Sequence, residues 1–371
     1  MELSSEDSLR INVLLANKPL AIKINESKMT LHGLTSNGEA EVKLNPDCRD
    51  DKYIKKIKEV LSSHATGSPG GYPVFLQRWT RMGQMRDSSL EQLLLLGEPE
   101  AVVAAVCATG MTDELARRAW WAMEDAENAR KLLQHDAVVQ GQMGPVLAEF
   151  LVEHLPFETE PEKMIESVQQ VLKPGLLSDS MRADLWKRGL RKPAYHVGFI
   201  LTIPDELPIE TSAHPEFDSV VKPLGKLAEQ GSKQAQLICK MLSPVGQAFI
   251  KGVEGILKKP SNQDVVNVAF DAIRLYFADF RPSGDPDLTF EQLVEEATDF
   301  LESQQKQLQP FLSTADFLAD YILSVRVLSG LGYGVLRPVF QDTTAIGSLM
   351  RRKLEPVFEP LHKHLAVLSG K

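Results

Sequence analysis

Cysteine is scarce: only Cys48, Cys107 and Cys239 occur in 371 residues. They are odd in number, far apart, and form no CxxC or Cys/His cluster, so neither a disulfide framework nor a cysteine-rich zinc site is expected. Free thiols in a reducing compartment are the simplest reading. Long apolar runs are missing too. The most apolar stretch, Phe317 to Leu336, is interrupted by Asp320, Arg326 and three glycines. A spanning helix needs about 20 predominantly apolar residues, so this stretch reads as a buried helix followed by a glycine-rich break. The acidic start, Met1 to Asp7, lacks the basic and apolar segments of a signal peptide, and a cytoplasmic location with no membrane span is expected. No Walker motif, no GxSxG elbow and no cysteine in the surroundings of a known nucleophile is present. No catalytic residue, cofactor or metal is therefore assigned, and a non-enzymatic role is favoured. The net charge of −9 argues against a protein that coats nucleic acid with its whole surface.

What is present is ordinary globular material, 43% hydrophobic and 25% charged, and longer than one core usually holds. The first 45 residues read as strands. Ala21 to Asn25 and Met29 to His32 alternate apolar and polar, and so does Ala40, Val42, Leu44 against Glu39, Glu41, Lys43. Asn37-Gly38 between them is a hairpin signal. The period then changes to helical. Asp51 to Ser62 predicts a basic amphipathic helix with Ile54, Ile57, Val60 and Leu61 inward. Ser88 to Leu201 predicts short helices in series, with Ser89 and Gln92 as a capping box, Thr112 as a cap, and a stripe at Met164, Ile165, Val168, Val171 and Leu172. The expected class is mainly α, with a small N-terminal antiparallel β meander followed by multi-helix arrays.

A weak repeat runs through the middle. Glu98-Pro-Glu returns as Glu160-Pro-Glu, and Thr112-Asp with Trp120 returns as Ser178-Asp with Trp186. Two readings stand: coincidence between helix-cap signals, or a short array of HEAT-like helical hairpins. Beyond a proline-rich stretch from Pro204 to Pro215, the chain is helical again to its end, with breaks expected at Pro260, Pro282, Pro286, Pro310 and Pro338. The expected divisions are 1–86, 87–203, a linker at 204–216, and 217–371.

The clearest site signal is a charge imbalance. From Lys52 to Arg86, seven cations face Glu59 alone, a surplus of six inside an acidic chain, with Tyr53, Tyr72, Phe75 and Trp79 interleaved. Arginine and aromatic rings suit an acidic protein partner and also phosphate contacts and base stacking. The candidate binding residues are Lys55, Lys58, Tyr72, Arg78, Trp79, Arg81 and Arg86; a solvated helix face is the bland alternative. Gly67 to Pro73 is glycine-rich but carries prolines where a phosphate cradle needs N–H donors, so it reads as a structural loop. Gly330-Leu-Gly-Tyr-Gly334 has the wrong spacing for a dinucleotide loop and reads as close helix packing or a hinge. Glu359 and His362 have a ligand-like spacing, but only one copy exists and Pro360 sits inside it. Glu124, Asp125 and Glu127 read as an acidic helix start. Cys48, beside Arg49, is the candidate reactive thiol for sulfur handling; Cys107, in an apolar helix, is expected to be inert.

Several strings resemble the DsrS family, encoded last in the dissimilatory sulfite reductase (dsr) cluster of sulfur-oxidising bacteria. They are Gly67-Ser-Pro-Gly-Gly-Tyr-Pro-Val-Phe-Leu-Gln-Arg-Trp-Thr-Arg-Met-Gly-Gln84, the run from Ser89 to Glu100, and Leu115-Ala-Arg-Arg-Ala-Trp-Trp-Ala-Met123. Met1 to Arg10 and Asn45 to Asp51 are similar as well, and the likeness extends to about Phe199. The resemblance implies a cytoplasmic accessory protein among enzymes and carriers that oxidise stored sulfur. It implies a protein partner from that system, or less directly a regulatory nucleic acid, and it supplies no catalytic residues.

Overall fold

The computed structural model describes residues 3–73, 87–341 and 347–370. The protein is 67% helical, with twenty α-helices among the described residues and one three-stranded antiparallel sheet near the N-terminus. This is the mainly α class with a β meander read from the sequence. The chain divides into two compact units, residues 1–156 with 173–177, and residues 157–172 with 178–371.

The first unit contains α1 (Ser5–Ala16), β1 (Ala21–Asn25), β2 (Thr30–Thr35), β3 (Gly38–Lys43), α2 (Asp50–Thr66), α3 (Asp87–Leu94), α4 (Pro99–Val106), α5 (Asp113–Ala122), α6 (Ala126–Leu132), α7 (Asp136–Val139) and α8 (Met143–His154). The expectation of strands over the first 45 residues fails at α1. Ser4 caps that helix, its hydroxyl accepting from the Asp7 N–H at 3.1 Å. Ile11, Leu14 and Leu15 recur at helical spacing and are buried; alternation begins only at Ala21. The sheet has the order β1-β2-β3, with Ile22 opposite Gly33 and Gly33 opposite Ala40. Its turn depends on Gly38, whose φ of 118° few other residues adopt. Gly33 has no side chain where Leu14 of α1 presses on the sheet. Ile11, Leu14, Ile22, Leu31, Tyr53, Ile57 and Leu61 form the resulting core. Ser89, expected as a cap, lies inside α3.

Asp7 lies in this interior with no solvent exposure. Its carboxylate accepts from the Asn45 N–H at 3.0 Å, from Asn45 Nδ2 at 3.3 Å and from the Tyr53 hydroxyl. Burial, then the hydrogen bond to Asp7, pushes the Tyr53 hydroxyl far above its ordinary pKa, so it remains a donor at all working pH.

The second unit contains α9 (Pro161–Val171), α10 (Asp179–Gly189), α11 (Pro193–Thr202), α12 (Phe217–Glu229), α13 (Lys233–Leu242), α14 (Pro244–Lys258), α15 (Gln263–Tyr276), α16 (Phe290–Ser303), α17 (Gln305–Leu312), α18 (Leu318–Leu328), α19 (Tyr333–Phe340) and α20 (Gly347–Ser369). Ala194 to Ile200 of α11 are all buried, as a helix apolar on every side must be. It packs on α9, α10, α14 and α15. α18 packs between α16 and α20, and its Arg326 is held by Glu296, by the Phe280 carbonyl and over the Phe300 ring. A capping box of Thr289 and Gln292 opens α16.

Residues 204–216, expected as a linker, run within the second unit. Asp205 accepts from Tyr276 Oη and Lys240 Nζ, both at 3.1 Å, and Leu207 and His214 are buried. Gly330 and Gly334 permit close packing, against Leu293 and the Asp287 backbone respectively. Pro310 and Pro338 lie inside α17 and α19 instead of between helices; each falls two residues before the C-terminal end, so the helix loses one i→i−4 hydrogen bond and stops soon after. Among the described residues no single helix is long and apolar enough to cross a membrane. In the weak repeat, Pro99 and Pro161 open α4 and α9, and Thr112 and Ser178 cap α5 and α10. The packing differs: α4 rests on α5, whereas α9 rests chiefly on α11.

Asp7→Ala is expected to destabilise the first unit by about 3 kcal/mol, because it strands the buried Tyr53 and Asn45 donors; urea unfolding followed at the sheet checks this. A second expectation concerns pH. Burial lowers the pKa of His196, His214 and His364 below 6.5. The unfolded chain therefore takes up protons first as pH falls, and stability present above pH 6.5 is lost below it. Thermal unfolding of the second unit should shift down between pH 7 and 5.5, and His196→Gln should flatten that slope.

Candidate functional site

α2 forms from Asp50 to Thr66 because Tyr53, Ile54, Ile57 and Leu61 repeat at helical spacing and face the core. Gly67 ends it in the left-handed conformation. That burial turns Lys52 and Lys55 out to solvent and leaves Lys56 and Lys58 half-buried. The loop that follows is pinned to α2 and to α4. The Ser62 hydroxyl, fully buried, donates to the Ser68 carbonyl at 2.5 Å and accepts from the Gly71 N–H at 2.8 Å. The Tyr72 N–H donates to Glu98 Oε2 at 3.3 Å. The anion that the glycine-rich segment holds is thus a carboxylate of the same chain; the expected loop ends at Gly70, because residues 71–73 are helical.

This arrangement creates a groove of about 830 Å³ whose lining includes Lys55, Lys58, Tyr72, Glu59, Glu98 and Glu100. Three of the sequence-nominated residues, Lys55, Lys58 and Tyr72, are brought together there. Arg78, Trp79, Arg81 and Arg86 lie outside the described residues. A neighbouring groove of about 820 Å³ runs between α1 and α2, lined in part by Leu9, Asn12, Val60 and Ser63, and it shares Glu59 and Pro69 with the first. Leu9 and Val13 of α1 are 65% and 55% exposed. The sequence reading missed this second groove, and the signal that finds it is the helical period of α1.

The electrostatics differ from what the linear charge count implies. Lys56 pairs with Asp47 at 3.8 Å and Lys58 with Glu26 at 3.1 Å, whereas Lys55 has no ion-pair partner among the described residues. Tyr53 is part of the core and presents no ring to a partner. Burial raises the pKa of Glu98. The groove is consequently mixed in charge, with an exposed ammonium, a half-buried phenol ring and three carboxylates.

The other nominated groups are dispersed. Cys48 is half-buried and packs against the N-terminal core. Cys107, expected to be inert within a helix, is the C-cap of α4 and exposed; the helix stops one residue short of it. Cys239 is half-buried, and burial raises its pKa. His362 and His364 diverge as their spacing requires, His364 bonding Ser324 while His362 faces solvent. Among the described residues no three His, Cys, Asp or Glu side chains gather as a metal site would need. Asp125 caps α6 and Glu127 sits in its first turn, so that acidic crowd is a helix start.

Iodoacetamide should therefore alkylate Cys107 first, with Cys48 and Cys239 slower by about tenfold or more, since exposure controls access and burial further suppresses the Cys239 thiolate; peptide mass mapping over time reads the order. No protein-family model, curated protein or solved structure matches this chain.

Proposed function

We propose that the chain is a non-enzymatic accessory protein of dsr-dependent oxidation of stored sulfur, acting by binding a protein partner along the groove of Lys55, Lys58 and Tyr72. The observation that carries this reading is the convergence of those three residues on one open groove beside a loop pinned by buried hydrogen bonds. A pinned loop loses little conformational freedom on binding, which favours recognition. Tyrosine is a common anchor at protein interfaces. Arg78, Trp79, Arg81 and Arg86 continue the same stretch of chain and join the proposed anchors. The family resemblance of the strings at Gly67–Gln84 and Ser89–Glu100 supports the dsr assignment.

Two alternatives fare worse on this geometry. A nucleic-acid backbone meets Glu59, Glu98 and Glu100 in the same groove, three charges that repel phosphate. Sulfur handling through Cys48 needs an accessible thiol, and Cys48 packs against the core.

Immobilised protein should retain one purified component of the dsr system, a sulfur carrier or the reductase, from a defined mixture. Lys55→Glu with Tyr72→Ala should weaken retention at least about tenfold, the loss of roughly 1.4 kcal/mol or more, while circular dichroism stays unchanged. Retention of none of the components defeats the dsr assignment; equal retention by the variant defeats the groove.

A further inference from the structure

The second unit carries a groove that the reading above does not use. It encloses about 770 Å³ alongside α20, where Leu257 and Lys258 at the end of α14 form its other wall. Arg351, Glu355, Phe358, His362 and Ala366 follow one another at steps of four, three, four and four, which places them on one stripe of α20. Leu257 and Phe358 are recessed, only 1% and 7% exposed, so the apolar part is a floor and not a protrusion.

The charges in this groove are unevenly matched. Lys363 and Glu359 satisfy each other at 3.0 Å. Lys258, Arg351 and Arg352 have no carboxylate within ion-pair distance among the described residues; Arg351 reaches only the Pro260 carbonyl, at 3.5 Å. Glu355 is the one further carboxylate in the lining. The groove therefore holds a surplus of two positive charges inside a chain of net charge −9. Elsewhere in the same unit, cations beside apolar groups are matched: Arg326 by Glu296, and Lys240 by Asp205.

A surplus of two beside an apolar floor has a specific complement. A phosphate monoester carries about −1.5 to −2 at neutral pH and offers three acceptor oxygens. Guanidinium forks meet such oxygens in pairs of hydrogen bonds. The volume lies within the range of about 300–1,000 Å³ that small-ligand sites occupy. We infer that this groove binds a free organic phosphate, its phosphoryl group held by Lys258, Arg351 and Arg352 and its apolar body lying on Phe358 and Ala366. A phospholipid headgroup presents the same phosphate, but recessed apolar side chains give no wedge to enter a bilayer surface. A free ligand is the source the geometry favours.

Phenyl phosphate, which joins a phosphoryl group to a small apolar ring, tests this on the full chain by isothermal titration. The wild type should bind it saturably and more tightly than inorganic phosphate. Arg351→Glu with Arg352→Glu should weaken binding by at least about tenfold, with an unchanged thermal midpoint because both side chains lie outside the core. Glu355→Gln should tighten binding severalfold by removing the opposing charge, a gain that a purely structural role for these residues does not produce. Co-sedimentation with vesicles of phosphatidylglycerol in phosphatidylcholine separates the two sources of phosphate. Absence of saturable binding by the wild type, full binding by the double variant, weaker binding by Glu355→Gln, or vesicle binding in place of phenyl phosphate binding would each overturn the inference.

Discussion

The buried carboxylate of Asp7 joins α1 to the Asn45 segment and to Tyr53 of α2, and the direction of α2 depends on that junction. A carboxylate out of contact with water is costly to place, by several kcal/mol, unless its oxygens are fully supplied with donors. Arg10 of α1 itself faces this carboxylate at 3.7 Å, but its hydrogen-bond donors from elsewhere come from two other segments, so the cost is fully offset only when all three segments are in place together. The contact thus specifies an arrangement more than it adds stability. Its consequence is local and concrete. With Tyr53 turned inward, the opposite face of α2 is fixed outward, carrying Lys52 and Lys55. The buried Ser62 near its end is fixed where it can hold Ser68 and Gly71. The groove that carries the proposed function is built on that chain of constraints.

Charge counted along the chain and charge available in space differ for the same reason. The stretch from Lys52 to Arg86 has a surplus of six cations in sequence. In the structure Lys56 and Lys58 are each opposed by a carboxylate from outside that stretch, Asp47 and Glu26. Glu98 enters the groove from α4 and takes the Tyr72 N–H. Ion pairs of this kind, whose carboxylates are exposed, contribute little to stability, typically about 0–1 kcal/mol. They do reshape the local field, turning a basic segment into a surface of mixed sign. Such a surface discriminates among protein partners better than it attracts a polyanion.

The sequence was legible where the signal is local. Alternation at Ala21–Asn25, the Asn37-Gly38 turn, the Thr289–Gln292 capping box and the apolar period of α2 and α9 all mark what forms there. The helix at Ser5–Ala16 was equally local, with Ser4 as cap and Ile11, Leu14 and Leu15 inward, and was obscured by the stronger alternation beginning at Ala21. Cys107 was misplaced by a single residue, since whether a position at a helix end faces solvent depends on where the last turn stops. The pairing partners of Lys56 and Lys58, the capture of Glu98 by the loop and the incorporation of 204–216 into the second unit could not be read. Each joins residues remote in sequence, and no periodicity records which distant group will arrive. Of the candidate site, Lys55, Lys58 and Tyr72 were found by charge and ring content, while the groove that unites them was not.

The two kinds of arginine in the second unit show how far folding alone explains a charged side chain. Arg326 is buried, and leaving it unmatched would cost several kcal/mol; Glu296, the Phe280 carbonyl and the Phe300 ring surround it, and Arg281 approaches the same carboxylate at 3.8 Å. Its environment follows from the requirement that a buried charge be compensated. Arg351 and Arg352 face no such requirement, because water solvates them. Yet they stand next to one another and beside Lys258 around a recess, where mutual repulsion acts against the fold instead of for it. Stability gives no reason for three cations to gather around a recess with only Glu355 among them. An anion drawn from solution does, since it removes the remaining repulsion.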